Sequence, residues 1–203
     1  MKLQNFLVLC WLFICIYSNA QSTALKQVST FIIDAPQLET QRKIWVYLPK
    51  EYQNSKKSYP VIYMHDGQNL FDDKTSYVGE WKIDEYLDTI DKNESIIIGI
   101  EHGNEKRIDE LTPYNTEKYG GGKADDYLNF IIKTLKPHID LNYRTLTKKK
   151  HTAIWGSSLG GLISLYAVIK YPETFSKAGV FSIALWINKN EMLQFIRESK
   201  IDS

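Results

Sequence analysis

Short apolar segments alternate with segments of helical periodicity from residue 28 onward. Two apolar runs, 60–64 and 95–100, are continuous, which is typical of strands buried on both faces of a parallel sheet. Further strands are predicted at 28–33, 43–48, 151–155 and 178–183. The alternating positions and turn residues around these segments favour strands over helices.

Between the strands, apolar residues recur three and four positions apart, which predicts helices at 81–90, 123–136, 159–171 and 189–199. Pro137 is expected to end the second helix, and 101–122 is expected to be a long loop. Strands that alternate with helices predict an α/β fold, with a mostly parallel sheet covered by helices on both faces. The chain ends where another strand would be expected.

The first 20 residues have the pattern of a secretory signal peptide. Lys2 precedes an apolar run at 6–17 that is too short to span a bilayer, and Ser-Asn-Ala at 18–20 is a small-residue cleavage site. An uncleaved anchor is the alternative. We expect a secreted or periplasmic protein without a transmembrane span, whose single domain covers 21–203. Both cysteines, Cys10 and Cys15, lie in this leader, so the mature chain would contain none.

Composition adds little to this picture. The fractions of hydrophobic (43%) and charged (24%) residues are ordinary for a soluble domain. A net charge of +1 gives no electrostatic reason to expect a nucleic-acid partner. The 13 Tyr and 5 Trp could line a cleft for rings or sugars, although core positions are the simpler explanation.

The segment 155–161, Trp-Gly-Ser-Ser-Leu-Gly-Gly, contains Gly-x-Ser-x-Gly between a predicted strand and a predicted helix. This context is typical of a strand-to-helix turn that presents a serine nucleophile, here Ser158. A serine needs donors for the oxyanion that forms on attack. The backbone N–H of Leu159 is one candidate, and that of Gln68, in the turn after an earlier strand, is the other. Gly67 is expected to let the backbone turn sharply there.

A catalytic base is harder to assign, because no histidine follows Ser158. His65, His102, His138 and His151 all precede it, and structural or surface roles explain each of them better. No acidic residue after Ser158 stands at a clear strand end. The spacing of His65 to Asp72 and Asp73 matches no metal-ligand pattern, and the glycines at 120–122 do not open a phosphate-binding turn, so neither a metal nor a cofactor is expected.

These residues resemble an esterase group of α/β-hydrolases that includes enterochelin-type, feruloyl and esterase D-like enzymes. The resemblance covers roughly residues 28–188, and its matching segments are 59–72, 80–84, 99–113, 135–145, 171–175 and 181–186. It implies that Ser158 is the nucleophile and that the amides of Leu159 and Gln68 form the oxyanion hole. It also places Trp186 near the substrate cleft, although a core tryptophan is equally plausible.

The group supplies its acid and histidine from loops after two further strands, before which this chain ends. We therefore expect an α/β-hydrolase domain that is incomplete at its C-terminus, either a fragment of a longer reading frame or a truncated member. The expected activity is hydrolysis of carboxylic esters on carbohydrates or siderophores through an acyl-enzyme, with acyl transfer as the nearest variant. The alternative is a non-catalytic remnant that binds a ligand or partner through the same cleft.

Overall fold

A computed structural model of the chain describes residues 21–90 and 94–199. The predicted leader, 1–20, lies outside the described residues, as do 200–203 at the end of the predicted domain. The strands are β1 Val28–Ala35, β2 Thr40–Tyr47, β3 Val61–His65, β4 Ile96–Ile100, β5 Asn115–Thr116, β6 Gly120–Gly121, β7 Thr152–Ser157 and β8 Lys177–Phe181. The α-helices are α1 Ile83–Asp88, α2 Arg107–Leu111, α3 Ala124–Phe130, α4 Lys136–Asn142, α5 Leu159–Lys170 and α6 Lys189–Glu198.

Six strands form one sheet in the order β1-β2-β4-β3-β7-β8. The last four strands of this order run parallel, whereas β1 and β2 form an antiparallel edge. All five residues of β4 are buried, as its continuous apolar run predicts. The α/β class with a mostly parallel sheet is confirmed.

The two faces of the sheet pack against different helices because successive strand side chains point to opposite faces. Ile44 and Val46 of β2 belong to a large core that also contains apolar residues of α3, α5 and α6. Trp45 and Tyr47 belong to a smaller core on the other face, where α1 packs through partly buried side chains. Helices therefore cover both faces. Among the described helices, none is both long enough and apolar enough to cross a bilayer.

Pro137 does not end the helix that precedes it, so this expectation was wrong. A π-helical segment, Ile131–Leu135, joins α3 to α4, and Pro137 lies in the first turn of α4. The N–H of Lys136 bonds to the carbonyl of Ile131, five residues earlier. This wider turn lies directly before the proline, whose ring and missing N–H disturb a regular α-helix.

The predicted loop at 101–122 is also more ordered than expected. It contains α2 and the two-stranded β5–β6 hairpin. The helix is only five residues long and the strands two each, which is too short for hydrophobic periodicity to reveal.

Candidate active site

The candidate site lies at the carboxyl ends of β3 and β7, which are neighbouring parallel strands with Met64 opposite Trp155. Because both strands end at the same edge of the sheet, the turn after β3 and the turn after β7 lie side by side. Gly160 confirms the contact: a Cβ atom there would lie 3.2 Å from the Cβ of His65.

Ser158 occupies the sharp turn between β7 and α5. Its backbone has φ 56° and ψ −117°, a strained conformation for a residue other than glycine. The residue is exposed although both neighbouring elements are largely buried. A Cβ on Gly156 would lie 2.7 Å from the carbonyl carbon of Gly160, so the strand and helix can approach this closely only with glycine there.

Strand β8 and the segment after it hold this turn through the Ser158 backbone. The N–H of Ser158 donates to the carbonyl of Phe181 at 3.0 Å. The carbonyl of Ser158 accepts from Ala184 at 3.0 Å and from Leu162 at 3.1 Å. The strained backbone is therefore fixed on both sides, which leaves the exposed hydroxyl at the surface.

The turn after β3 differs from expectation in one respect. The left-handed residue is Asp66, at φ 57°, and not Gly67. Gly67 is needed for close packing instead, because a Cβ there would lie 2.6 Å from the backbone carbonyl carbon of Gly99. The turn is thus pressed directly onto β4. Thr75 further fixes it by donating to the carbonyl of Gln68 at 2.7 Å.

A cavity of about 180 Å³ lies between the two turns. Its lining residues are His65, Asp66, Asn69, Leu70, Trp81, Arg107, Ser157 and Ser158. Gln68 and Leu159 each adjoin a lining residue, and their N–H groups have no hydrogen-bond acceptor within the described part of the chain. The oxyanion hole made of these two amides stays a prediction that this arrangement is consistent with.

Asp66 and Arg107 form an ion pair in the cavity wall, a pairing that sequence analysis missed. The guanidinium donates from Nε to Oδ1 at 2.7 Å and from Nη2 to Oδ2 at 2.8 Å. The hydrogen bonds from this group to the Asp66 carboxylate raise the pKa of Arg107. The signal was present, because both residues stand in segments that carry the resemblance, but 41 positions separate them.

His65 lies deep in the cavity wall and is 2% exposed. Burial lowers the pKa of His65 to about 4, since the charged imidazolium would lose its hydration. Its Nδ1 shares a hydrogen bond of 2.9 Å with the hydroxyl of Tyr127, while Nε2 is buried without a partner among the described residues. In the same part of the chain, no histidine hydrogen-bonds the Ser158 hydroxyl.

Two tryptophans stand at different distances from the cavity. Trp81 lines it and meets Phe181 edge-on, with ring centroids 5.9 Å apart. Trp186 is 65% exposed, packs edge-on against Tyr119 at 5.4 Å and is not among the lining residues. Its role in substrate binding therefore stays a prediction, and Trp81 is the aromatic residue at the site.

The chain is similar to named proteins over most of its length. It is 32% identical to the YbbA protein of Bacillus subtilis over 151 residues, which are 71% of this chain and 58% of YbbA. It is 25% identical to a siderophore triacetylfusarinine C esterase of Aspergillus fumigatus, over 77% of this chain and 56% of that enzyme. The chain thus spans little more than half of each relative.

A solved structure agrees with these similarities. An IroE-like serine hydrolase from Shewanella oneidensis superposes with a TM-score of 0.70 at 25% identity, covering 84% of this chain and 55% of that one. The family model described as "Putative esterase" matches residues 35–200, which include both turns of the site. The chain therefore belongs to this esterase family.

Proposed function

We propose that this chain carries the nucleophile site of a serine esterase, with Ser158 as the attacking residue. The observation that carries the proposal is the conformation of Ser158. It is an exposed serine with a strained backbone, at the carboxyl end of a parallel strand and beside a cavity. Such a turn lifts the hydroxyl clear of the sheet, where it can reach a bound ester.

In the proposed reaction, Ser158 Oγ attacks the ester carbonyl carbon and transfers its proton to a base. The carbonyl oxygen becomes an oxyanion that the amides of Leu159 and Gln68 stabilise. Collapse of this intermediate breaks the bond to the alcohol, which leaves with a proton, and an acyl-enzyme remains. Water then hydrolyses the acyl-enzyme to release the acid and restore Ser158.

The base is the unassigned part of this scheme. His65 is the histidine at the cavity, but its Nδ1 is engaged with Tyr127 and its Nε2 has no hydrogen-bond partner among the described residues. This observation favours a second candidate function, in which the cavity binds an ester or a partner without turnover. Loss of a catalytic base lowers the rate by several orders of magnitude but does not remove the nucleophile or the oxyanion donors.

For the substrate, we propose an ester whose acyl group enters the cavity while the alcohol portion lies outside. A volume of about 180 Å³ is well below that of a pocket for a complete drug-sized ligand, roughly 300 Å³ or more. The named relatives include siderophore esterases and a feruloyl esterase. We therefore propose carboxylic esters of siderophores or carbohydrates, with Trp81 against the acyl group.

We also propose that the protein is exported, with cleavage after Ala20. Support comes from the leader pattern of residues 1–20. N-terminal sequencing of the protein recovered outside the cytoplasm would test this. Gln21 as the first residue is the expected result, and an intact Met1 would contradict it.

The catalytic proposal is tested with a serine-directed phosphonate and with small aryl esters. We expect the phosphonate to label Ser158, detected by mass spectrometry of the labelled peptide. Ser158→Ala should abolish labelling, whereas Ser157→Ala, which changes the adjacent cavity-lining serine, should retain it. Labelling together with ester turnover supports the enzyme. Ligand binding without labelling supports the non-catalytic alternative.

A further inference from the structure

Three carboxylates converge at the start of α1, outside the cavity that contains Ser158. Glu80, Asp84 and Glu85 each place one oxygen so that no two of these atoms are more than 4.8 Å apart. Asp84 is completely buried, and the two glutamates are half-buried. The spacing of the three residues along the chain matches no motif, which is why sequence analysis did not suggest a site here.

The cluster has unsatisfied oxygens that point to a missing positive partner. Glu80 Oε2, Asp84 Oδ1 and Glu85 Oε2 are all buried without a hydrogen-bond donor in the described part of the chain. The other Asp84 oxygen, Oδ2, accepts the N–H of Leu25 at 2.8 Å. Buried polar atoms are nearly always partnered in folded proteins, so three such oxygens in one place need an explanation.

The electrostatics of the cluster are unfavourable as it stands. Asp84 has no exposed surface, and its neighbour Glu85 places a carboxylate oxygen within 4.8 Å of one of the Asp84 oxygens. No lysine or arginine forms a salt bridge with any of the three among residues 21–90 and 94–199. A cation or a proton must therefore reduce the repulsion.

We propose that Glu80, Asp84 and Glu85 bind a divalent cation, and that calcium is its best chemical match. Carboxylate oxygens are the ligands that calcium prefers, with bonds of about 2.3–2.6 Å. Two such bonds span at most roughly 4.6–5.2 Å, which accommodates the oxygen separations of this cluster. The absence of nitrogen and sulfur ligands among the three disfavours zinc and copper.

The site would fix the wall of the candidate active site. Trp81, which follows Glu80, lines the cavity, and its N–H donates to the carbonyl of Asn69 at 2.8 Å. The N–H of Ile83 donates to the carbonyl of Leu70 at 3.1 Å. A cation at the cluster would thus connect the segment before β1, through Leu25, to the turn after β3, which contains the proposed oxyanion donor Gln68. This inference does not depend on whether Ser158 is catalytic.

Terbium luminescence tests the proposal on the full chain. Terbium replaces calcium at oxygen sites, and excitation of the neighbouring Trp81 should sensitise its emission. We expect saturable emission that calcium chloride at about 10 mM reverses. Asp84→Asn, which keeps an oxygen for the Leu25 N–H, should weaken terbium binding at least about tenfold. Asp34→Asn, the loss of an exposed carboxylate on β1, should leave it within about twofold.

Thermal unfolding gives an independent readout. Calcium at about 10 mM should raise the Tm of the parent by about 3–6 °C and that of Asp84→Asn by less than about 1 °C. If Asp84→Asn does not fold, Glu85→Gln serves the same comparison from a half-buried position. No calcium effect on the parent, or an equal effect on the cluster variants, overturns the proposal. In that case a proton shared between Asp84 and Glu85 neutralises the cluster.

Discussion

His65 should make the fold sensitive to acid, because the folded chain holds its imidazole neutral. The ring is buried and bonded to Tyr127, and burial lowers its pKa to about 4. In the unfolded chain, the same group takes up a proton near its ordinary pKa of 6.5. The unfolded state therefore binds more protons than the folded state between these values, so stability falls as the pH falls through this window.

The size of the effect follows from the two pKa values. Between about pH 7.5 and about pH 5.5, a histidine with these values lowers the free energy of unfolding by about 1 kcal/mol. The limiting loss, reached below both values, is about 3 kcal/mol. Asp84 acts in the opposite direction, because its raised pKa favours proton uptake by the folded chain. A comparison between variants that share Asp84 removes that contribution.

Urea denaturation at the two pH values measures the effect. The parent should lose more stability on acidification than His65→Asn, and the difference between the two losses should be about 1 kcal/mol. His151→Asn, which changes a half-buried histidine before β7, should behave like the parent. An equal pH dependence of the parent and His65→Asn would refute the reasoning, as would an NMR titration in which the His65 ring protonates near pH 6.5.

Three further changes test the packing around the site by urea denaturation. Arg42→Met should lower the free energy of unfolding by about 3–5 kcal/mol, because it leaves Glu110 buried without its 2.7 Å salt-bridge partner. Changing Glu110 to Met as well should recover most of this loss, and no recovery would contradict the prediction. Gly156→Ala should cost about 1–3 kcal/mol, because its Cβ would lie 2.7 Å from backbone that cannot rotate away, and an unchanged stability would show that α5 moves freely. Arg107→Lys should cost only about 1 kcal/mol, because its two-bond pairing with Asp66 is partly exposed, and a loss above about 3 kcal/mol would assign the pair a larger structural role.

The parts of the fold that sequence predicted are those with a strong local signal. β4 is buried on both faces, and its continuous apolar run indicates this directly. The strand order has no such local signal, because β3 and β7 become neighbours through contacts between residues about 90 positions apart. The extension of the helix past Pro137 depends on a π-helical turn, and no residue type signals such a turn.

The candidate site likewise contains features that the local sequence predicts and features that depend on contacts between distant segments. Ser158 was predictable because the glycines that permit the turn stand next to it in the sequence. The Asp66–Arg107 pair was not, since its two residues meet only after β3 and α2 are placed. The sequence also did not reveal that Asp66, and not Gly67, adopts the left-handed conformation. Close packing of Gly67 on Gly99 requires the sheet, and it leaves the left-handed conformation to its neighbour.

The conformation of the turn at Ser158 is fixed by backbone contacts that involve no histidine among the described residues. The strain of the Ser158 backbone is of order 1–3 kcal/mol for such conformations. It is offset by the hydrogen bond that the Ser158 N–H donates to Phe181 and by those that its carbonyl accepts from Leu162 and Ala184. The geometry of the hydroxyl therefore does not depend on a histidine. Phosphonylation is a single attack by the serine with one proton transfer, whereas turnover needs a base in the acylation step and again in the deacylation step. Labelling and turnover should consequently respond differently to restoration of a base, with turnover rising by far the larger factor.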